Sequence, residues 1–85
     1  MARIEIYTTM TCPYCVRVKS LLDRKRAAYE EFSVDGGGAR RTEMIQRANG
    51  KSSVPQIFID GRHVGGCDDL MMLEMDGKLD GLLAA

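Results

Sequence analysis

The apolar pattern opens with a short run, Arg3 to Tyr7 (RIEIY), whose β-branched and aromatic residues predict a strand. A polar turn over Thr8 to Thr11 follows. From Pro13 the period changes: Tyr14, Val18, Leu21 and Leu22 share one face of a helix that fades near Lys25 or Arg26. Proline is tolerated at a first helical position, where its missing N–H has no intrahelical partner to lose. Tyr29 to Val34 (YEEFSV) predicts a second strand, and Asp35 to Gly38 a break too short for a domain linker. Ala39 to Asn49 reads as a helix with Met44, Ile45 and Ala48 on its apolar face. There Glu43 is spaced to pair with Arg47, and Gly50 can end the helix. The near-continuous apolar run Gln56 to Ile59 predicts a buried strand. Asp60-Gly61 supplies the chemistry of a two-residue hairpin turn into Arg62-His63-Val64. Beyond Gly65-Gly66, Cys67 to Asp76 predicts a third helix with Leu70 and Leu73 inward.

The resulting order is β-α-β-α-β-β-α. The first helix is long enough for a right-handed crossover between parallel strands, and the hairpin must then run antiparallel to one of them. The expectation is an α/β fold: a four-stranded mixed sheet with helices on both faces, forming one domain over residues 1–85. No segment repeats and none is low in complexity.

Charge narrows the function classes. Twelve basic and twelve acidic residues cancel, which offers no case for a nucleic-acid or membrane partner. Arg17, Lys19, Arg24, Lys25 and Arg26 crowd one stretch, while Asp68, Asp69, Glu74, Asp76 and Asp80 crowd another; these read as two solvated faces of opposite sign. No apolar run reaches transmembrane length, and MARIEIY lacks the layout of a signal peptide. Three cysteines make an odd count, which fits a reducing, cytoplasmic setting better than a secreted disulfide framework. A monomer is expected.

The sharpest chemical feature is Cys12-Pro13-Tyr14-Cys15, set between a strand and the helix that follows it. The first residues of a helix have unsatisfied N–H groups and carry the positive end of its dipole, so a thiolate at Cys12 would be stabilised there. Cys15 lies one turn deeper on the same face, close enough for a disulfide. Cys12 is thus expected as the exposed nucleophile and Cys15 as the buried resolving thiol. A lone C-x-x-C is also half of a zinc site, with His63 and Cys67 as possible further ligands; a proline-started helix after a strand is not the usual zinc knuckle.

These residues resemble the dithiol glutaredoxin family, close to the bacterial glutaredoxin-3 type. Cys12-Pro13-Tyr14-Cys15 matches its active-site motif. Ser53-Val54-Pro55 is similar to its Thr-Val-Pro loop, and Gly65-Gly66-Cys67-Asp68-Asp69 to its Gly-Gly-Cys-Asp-Asp segment. The resemblance covers nearly the whole chain and implies a thioredoxin-like fold. It implies thiol–disulfide exchange with glutathione as reducing co-substrate, no bound cofactor or metal, and glutathionylated or disulfide-containing proteins as partners. It also implies a cis bond before Pro55, presenting Val54 main-chain groups to glutathione by strand addition; on its own, Pro55 reads as a strand opener. Gly66, Cys67 and Asp68 precede the third helix, where backbone N–H groups can hold a carboxylate and Asp68 an ammonium; an ordinary N-cap is the plainer role for Asp68. Tyr14 would flank the sulfur in the family, or else pack beside Val18.

Other residues invite plainer readings. Cys67 looks like a small buried filler, His63 has no expected catalytic role, and Arg40, Arg41 and Arg47 read as helix-surface charge. Met71, Met72 and Met75 read as core or adaptable packing. One departure stands out: Thr9, Met10 and Thr11 occupy positions where the family commonly carries a lysine. Two rival functions follow from the same motifs. One is an electron donor reduced by a flavoprotein reductase, against which Asp68 and Gly65-Gly66 speak. The other is an iron–sulfur cluster carrier, against which Pro13 speaks.

Overall fold

Alternation along two neighbouring strands decides how the layers stack. In the computed structural model, which describes residues 2–84, β1 (Ile4–Thr8) is buried along its whole length. It pairs parallel with β2 (Glu30–Ser33) and antiparallel with β3 (Gln56–Ile59), which pairs antiparallel with β4 (Arg62–Gly65). The sheet order is β2-β1-β3-β4, with β1 and β3 central. Ile4 lies opposite Ile59 and Ile6 opposite Ile57. These four pack with Val18, Leu21 and Leu22 of α1 (Pro13–Arg24) and Leu70 of α3 (Cys67–Met75). Tyr7 and Phe58 point to the opposite face, onto Met44 of α2 (Gly38–Arg47), Ala48 and Val34. Each large apolar side chain so buried contributes about 1.5–3 kcal/mol. Helices on both faces of the mixed sheet are therefore what the two-fold alternation along its strands calls for.

The structure adds an element beyond the seven expected. α4 (Leu79–Ala84) follows α3 after Gly77, whose φ of +71° suits a residue without Cβ. Six residues are too few to display a helical period, so the segment left no sequence signature. Leu79 is nevertheless fully buried, and Ala2 donates its N–H to the Leu83 carbonyl. Lys25 at the end of α1 joins Glu74 and Asp80 at 2.7 and 2.8 Å, so the two charged stretches touch there, while Arg17, Arg24, Arg26, Asp68, Asp69 and Asp76 stay solvated as expected.

Three further expectations are corrected. Glu43 bonds the Tyr7 hydroxyl and Arg40, while Arg47 crosses to Glu5 on β1 at 3.0 Å; the nearly buried carboxylate of Glu5 draws the guanidinium inward. Met72 and Met75 stand exposed, and only Met71 of the three packs against the core. Tyr14 is 53% exposed instead of joining Val18, with Arg17 over its ring.

Candidate active site

Cys12 is the N-cap of α1, in extended backbone, and Pro13 occupies the first helical position. The Cys12 Sγ accepts the Cys15 N–H at 3.1 Å, so the sulfur itself serves as the helix cap. Both thiols are free. Cys12 is less exposed than its expected role suggested: 8% of the residue reaches solvent, against 1% for Cys15. The order of depth is as expected, but Cys12 is sunk beneath neighbouring backbone, its Sγ 3.9 Å from the Val54 carbonyl oxygen. Burial pushes the Cys15 thiol up to about 12, and the hydrogen bond to Cys12 adds to this, against the backbone at Thr9 and the charge of Lys19. Cys15 therefore holds its proton at neutral pH.

The Val54–Pro55 peptide is cis. Ser53, Val54 and Pro55 line a cleft of about 370 Å³ together with Tyr14, Gly66, Cys67 and Asp68. Residues scattered over more than fifty positions of sequence are thus brought to one opening beside the dithiol. Lys51, Gln56 and Asp69 line it as well, and sequence reasoning missed all three. Lys51 supplies a cation from the loop before β3, whereas Thr9 to Thr11 supply none. Gln56 was the one polar residue in an otherwise apolar run, a signal that was available.

Asp69 corrects the capping assignment. The N-cap of α3 is Gly66, not Asp68, and the Asp69 carboxylate accepts the Gly66 N–H at 2.9 Å. The acid three residues past the N-cap is the reaching-back half of a capping box, legible in Gly66-x-x-Asp69. Gly65 must be glycine for this to hold. Its φ is +124°, and a Cβ there would meet the Asp69 Oδ2 at 2.2 Å. Asp68, freed from capping, stands exposed in the first turn of α3 at the cleft wall.

Cys67 is buried, with its thiol pushed up by burial and then by the charge of Asp68. Cys12 acts on it in the same direction, so this thiol belongs to the electrostatic surroundings of the dithiol. Arg40, Arg41 and Arg47 stay out of the cleft. Arg41 donates to the Ser52 carbonyl at 2.7 Å and Arg40 stacks on Phe32. Among the described residues no group of three or more His, Cys, Asp or Glu side chains could hold a metal ion, and His63 turns to Gln56.

A parallel βαβ unit, a dithiol at its helix start and a cis-proline loop opposite define a thioredoxin-like thiol–disulfide oxidoreductase. More narrowly, the chain belongs to the glutaredoxin family, whose model matches residues 4–64. It is 55% identical over 83 residues to glutaredoxin 3 of Escherichia coli strain K12, covering 98% of this chain and 99% of that one. The solution structure of glutaredoxin from Brucella melitensis is 51% identical with a TM-score of 0.84, covering 98% of this chain and 89% of that one. The crystal structure of a buckwheat glutaredoxin–glutathione complex is 35% identical with a TM-score of 0.88, covering 98% and 77%.

Proposed function

We propose that this chain is a glutathione-dependent oxidoreductase that reduces glutathione mixed disulfides and protein disulfides in the cytoplasm, acting as a monomer. The observation that carries the reading is the composition of the cleft. Beside the Cys12 sulfur it offers the main chain at Ser53 and Val54, the first turn of α3 with the Asp68 carboxylate, and the Lys51 ammonium. Glutathione is an extended peptide with an ammonium and two carboxylates, and each finds a complement there. The buckwheat relative that binds glutathione supports the choice of ligand.

In this reading the Cys12 thiolate attacks the glutathionyl sulfur of a mixed disulfide and expels the target thiolate, which takes a proton. A second glutathione thiolate attacks the Cys12–glutathione bond, releasing Cys12 and glutathione disulfide. With a protein disulfide, Cys12 forms a mixed disulfide with the target. Cys15 then gives up its proton and attacks the Cys12 sulfur, breaking its bond to the target, whose departing thiolate takes a proton. The resulting Cys12–Cys15 disulfide is reduced by two glutathione molecules, which leave as glutathione disulfide.

The test is a glutathione-coupled assay on wild type, Cys12→Ser and Cys15→Ser. Cys12→Ser abolishes all activity; Cys15→Ser keeps deglutathionylation and loses reduction of protein disulfides. Turnover with a flavoprotein reductase but not with glutathione, or a visible cluster spectrum after anaerobic purification with no turnover, overturns the proposal.

A further inference from the structure

We infer that His63, on the edge strand β4, positions the Ser53–Pro55 loop for its disulfide substrate by acting through the buried side chain of Gln56. The inference rests on the reading above, in which the substrate pairs with the main chain at Val54.

Gln56 opens β3 and is only 1% exposed, so its amide cannot rely on bulk water. Its Nε2 donates to the Ser53 carbonyl at 2.9 Å and to the Ser53 Oγ at 3.3 Å. Its Oε1 lies 2.7 Å from the His63 Nε2. These contacts admit one assignment of protons. With the amide turned over, Oε1 would face the Ser53 carbonyl oxygen, acceptor against acceptor. The amide must therefore donate to Ser53, and His63 must carry a hydrogen on Nε2. Burial, with Lys51 nearby, holds the imidazole below its ordinary titration range, against the opposing charge of Asp69. At neutral pH the ring has a single N–H, and the Gln56 contact places it on Nε2. Phe58 packs against the imidazole, ring centroids 5.1 Å apart and planes tilted by 32°.

The loop is thus held by two side chains on successive carbonyls: Arg41 on Ser52, and Gln56 on Ser53. Arg41 is half-buried on α2 and reaches Ser52 directly, whereas the Gln56 amide depends on His63 for its orientation. Without a donor at position 63, a buried Oε1 loses its partner and the amide is free to turn away from Ser53. Val54, the next residue, then shifts relative to the Cys12 sulfur that faces its carbonyl. The dithiol keeps its own cap, the Cys15 N–H on the Cys12 sulfur. Substrate docking suffers and the sulfur chemistry does not, so His63 is a positioning residue.

Two variants separate this role from simple stability. His63→Phe keeps a ring on Phe58 and removes the donor; His63→Gln keeps a side-chain N–H. In ligand-free protein, NMR follows exchange of the Gln56 side-chain NH₂ protons. In turnover, KM and kcat are measured with a glutathionylated peptide. His63→Phe should speed Gln56 NH₂ exchange about ten-fold and raise KM about five-fold, as loss of a buried hydrogen bond does, with kcat within about two-fold. His63→Gln should return both quantities toward wild type. Unchanged NH₂ exchange in His63→Phe overturns the inference, and so does faster exchange with an unchanged KM. Equal KM increases in the two variants, following their loss of melting temperature, overturn it also. Failure of free glutathione to compete with the peptide on wild type would sink the docking reading instead, while NH₂ exchange still decides the clamp on Ser53.

Discussion

Asp69 holds the N-terminus of α3 by accepting the Gly66 N–H at 2.9 Å, and it fits only because Gly65 has no side chain. Gly66 in turn stands against the Pro55 carbonyl, so one carboxylate sets the spacing between two walls of the cleft. Asp69→Ala should cost about 1 kcal/mol of stability, the scale of a lost cap. Gly65→Ala should cost more, because the new Cβ expels Asp69 and the backbone stays at positive φ. Urea unfolding midpoints of the two variants, with unchanged slopes, check the ranking.

Asp68 should behave in the opposite way. It is exposed, caps nothing, and lines the cleft. Asp68→Ala should leave the unfolding midpoint nearly unchanged and weaken use of glutathione by about 1–3 kcal/mol, the range for a charge-assisted hydrogen bond. Steady-state kinetics with varied glutathione measure it. Unaltered kinetics would remove Asp68 from the binding site.

The raised Cys15 thiol makes a prediction about labelling. At pH 7, iodoacetamide should modify Cys12 well before Cys15 in the reduced protein, read by peptide mass spectrometry. The sign for stability follows from linkage. The fold holds the Cys15 proton more tightly than the unfolded chain does, so this contribution is complete below the ordinary thiol range and is lost as pH climbs toward about 12. Early labelling of Cys15 at neutral pH would contradict its burial.

On the other face of the sheet, Arg47 bonds both Glu5 and the Tyr7 hydroxyl, which also reaches Glu43. Arg47→Met should destabilise by about 1–3 kcal/mol, because the nearly buried Glu5 loses both Arg47 hydrogen bonds and keeps only the longer contact of Arg3 at 3.6 Å. The double variant Arg47→Met, Glu5→Gln should recover part of that loss. Thermal melts of the two single variants and the double variant give the coupling.

Much of this was legible because strand alternation and helical period act over neighbouring residues. Ile4 and Ile6 against Tyr7, or Val18 against Leu22, fix which face each element buries before any contact is known. The motif residues Cys12, Cys15, Val54, Pro55 and Asp68 could be placed at one site because three short patterns shared one resemblance. Gln56 and Asp69 escaped notice as lining residues because each owes its place to a partner across a turn, His63 for the one and Gly66 for the other. Tyr14 misled for the reverse reason: it has the right period for the core, yet its ring lies at the cleft with Arg17 over it. Arg47 had a correctly spaced acid in Glu43, but a nearly buried carboxylate on β1 competes better than an exposed one on the same helix.

The two faces of the sheet are unequally sealed. Three helices cover Ile4, Ile6, Ile57 and Ile59, whereas α2 alone roofs Tyr7 and Phe58. Amide hydrogens in α2 should accordingly exchange through a cheaper local opening than those of α1. The dithiol belongs to the thick side, and Val54 leans on the thin one. In the proposed function the nucleophilic sulfur is then carried by α1 on the better-covered side, and the loop proposed to meet the substrate packs on the less-covered one. On that reading, a local opening of α2 should disturb the Val54 side of the cleft before it disturbs the sulfur at the start of α1.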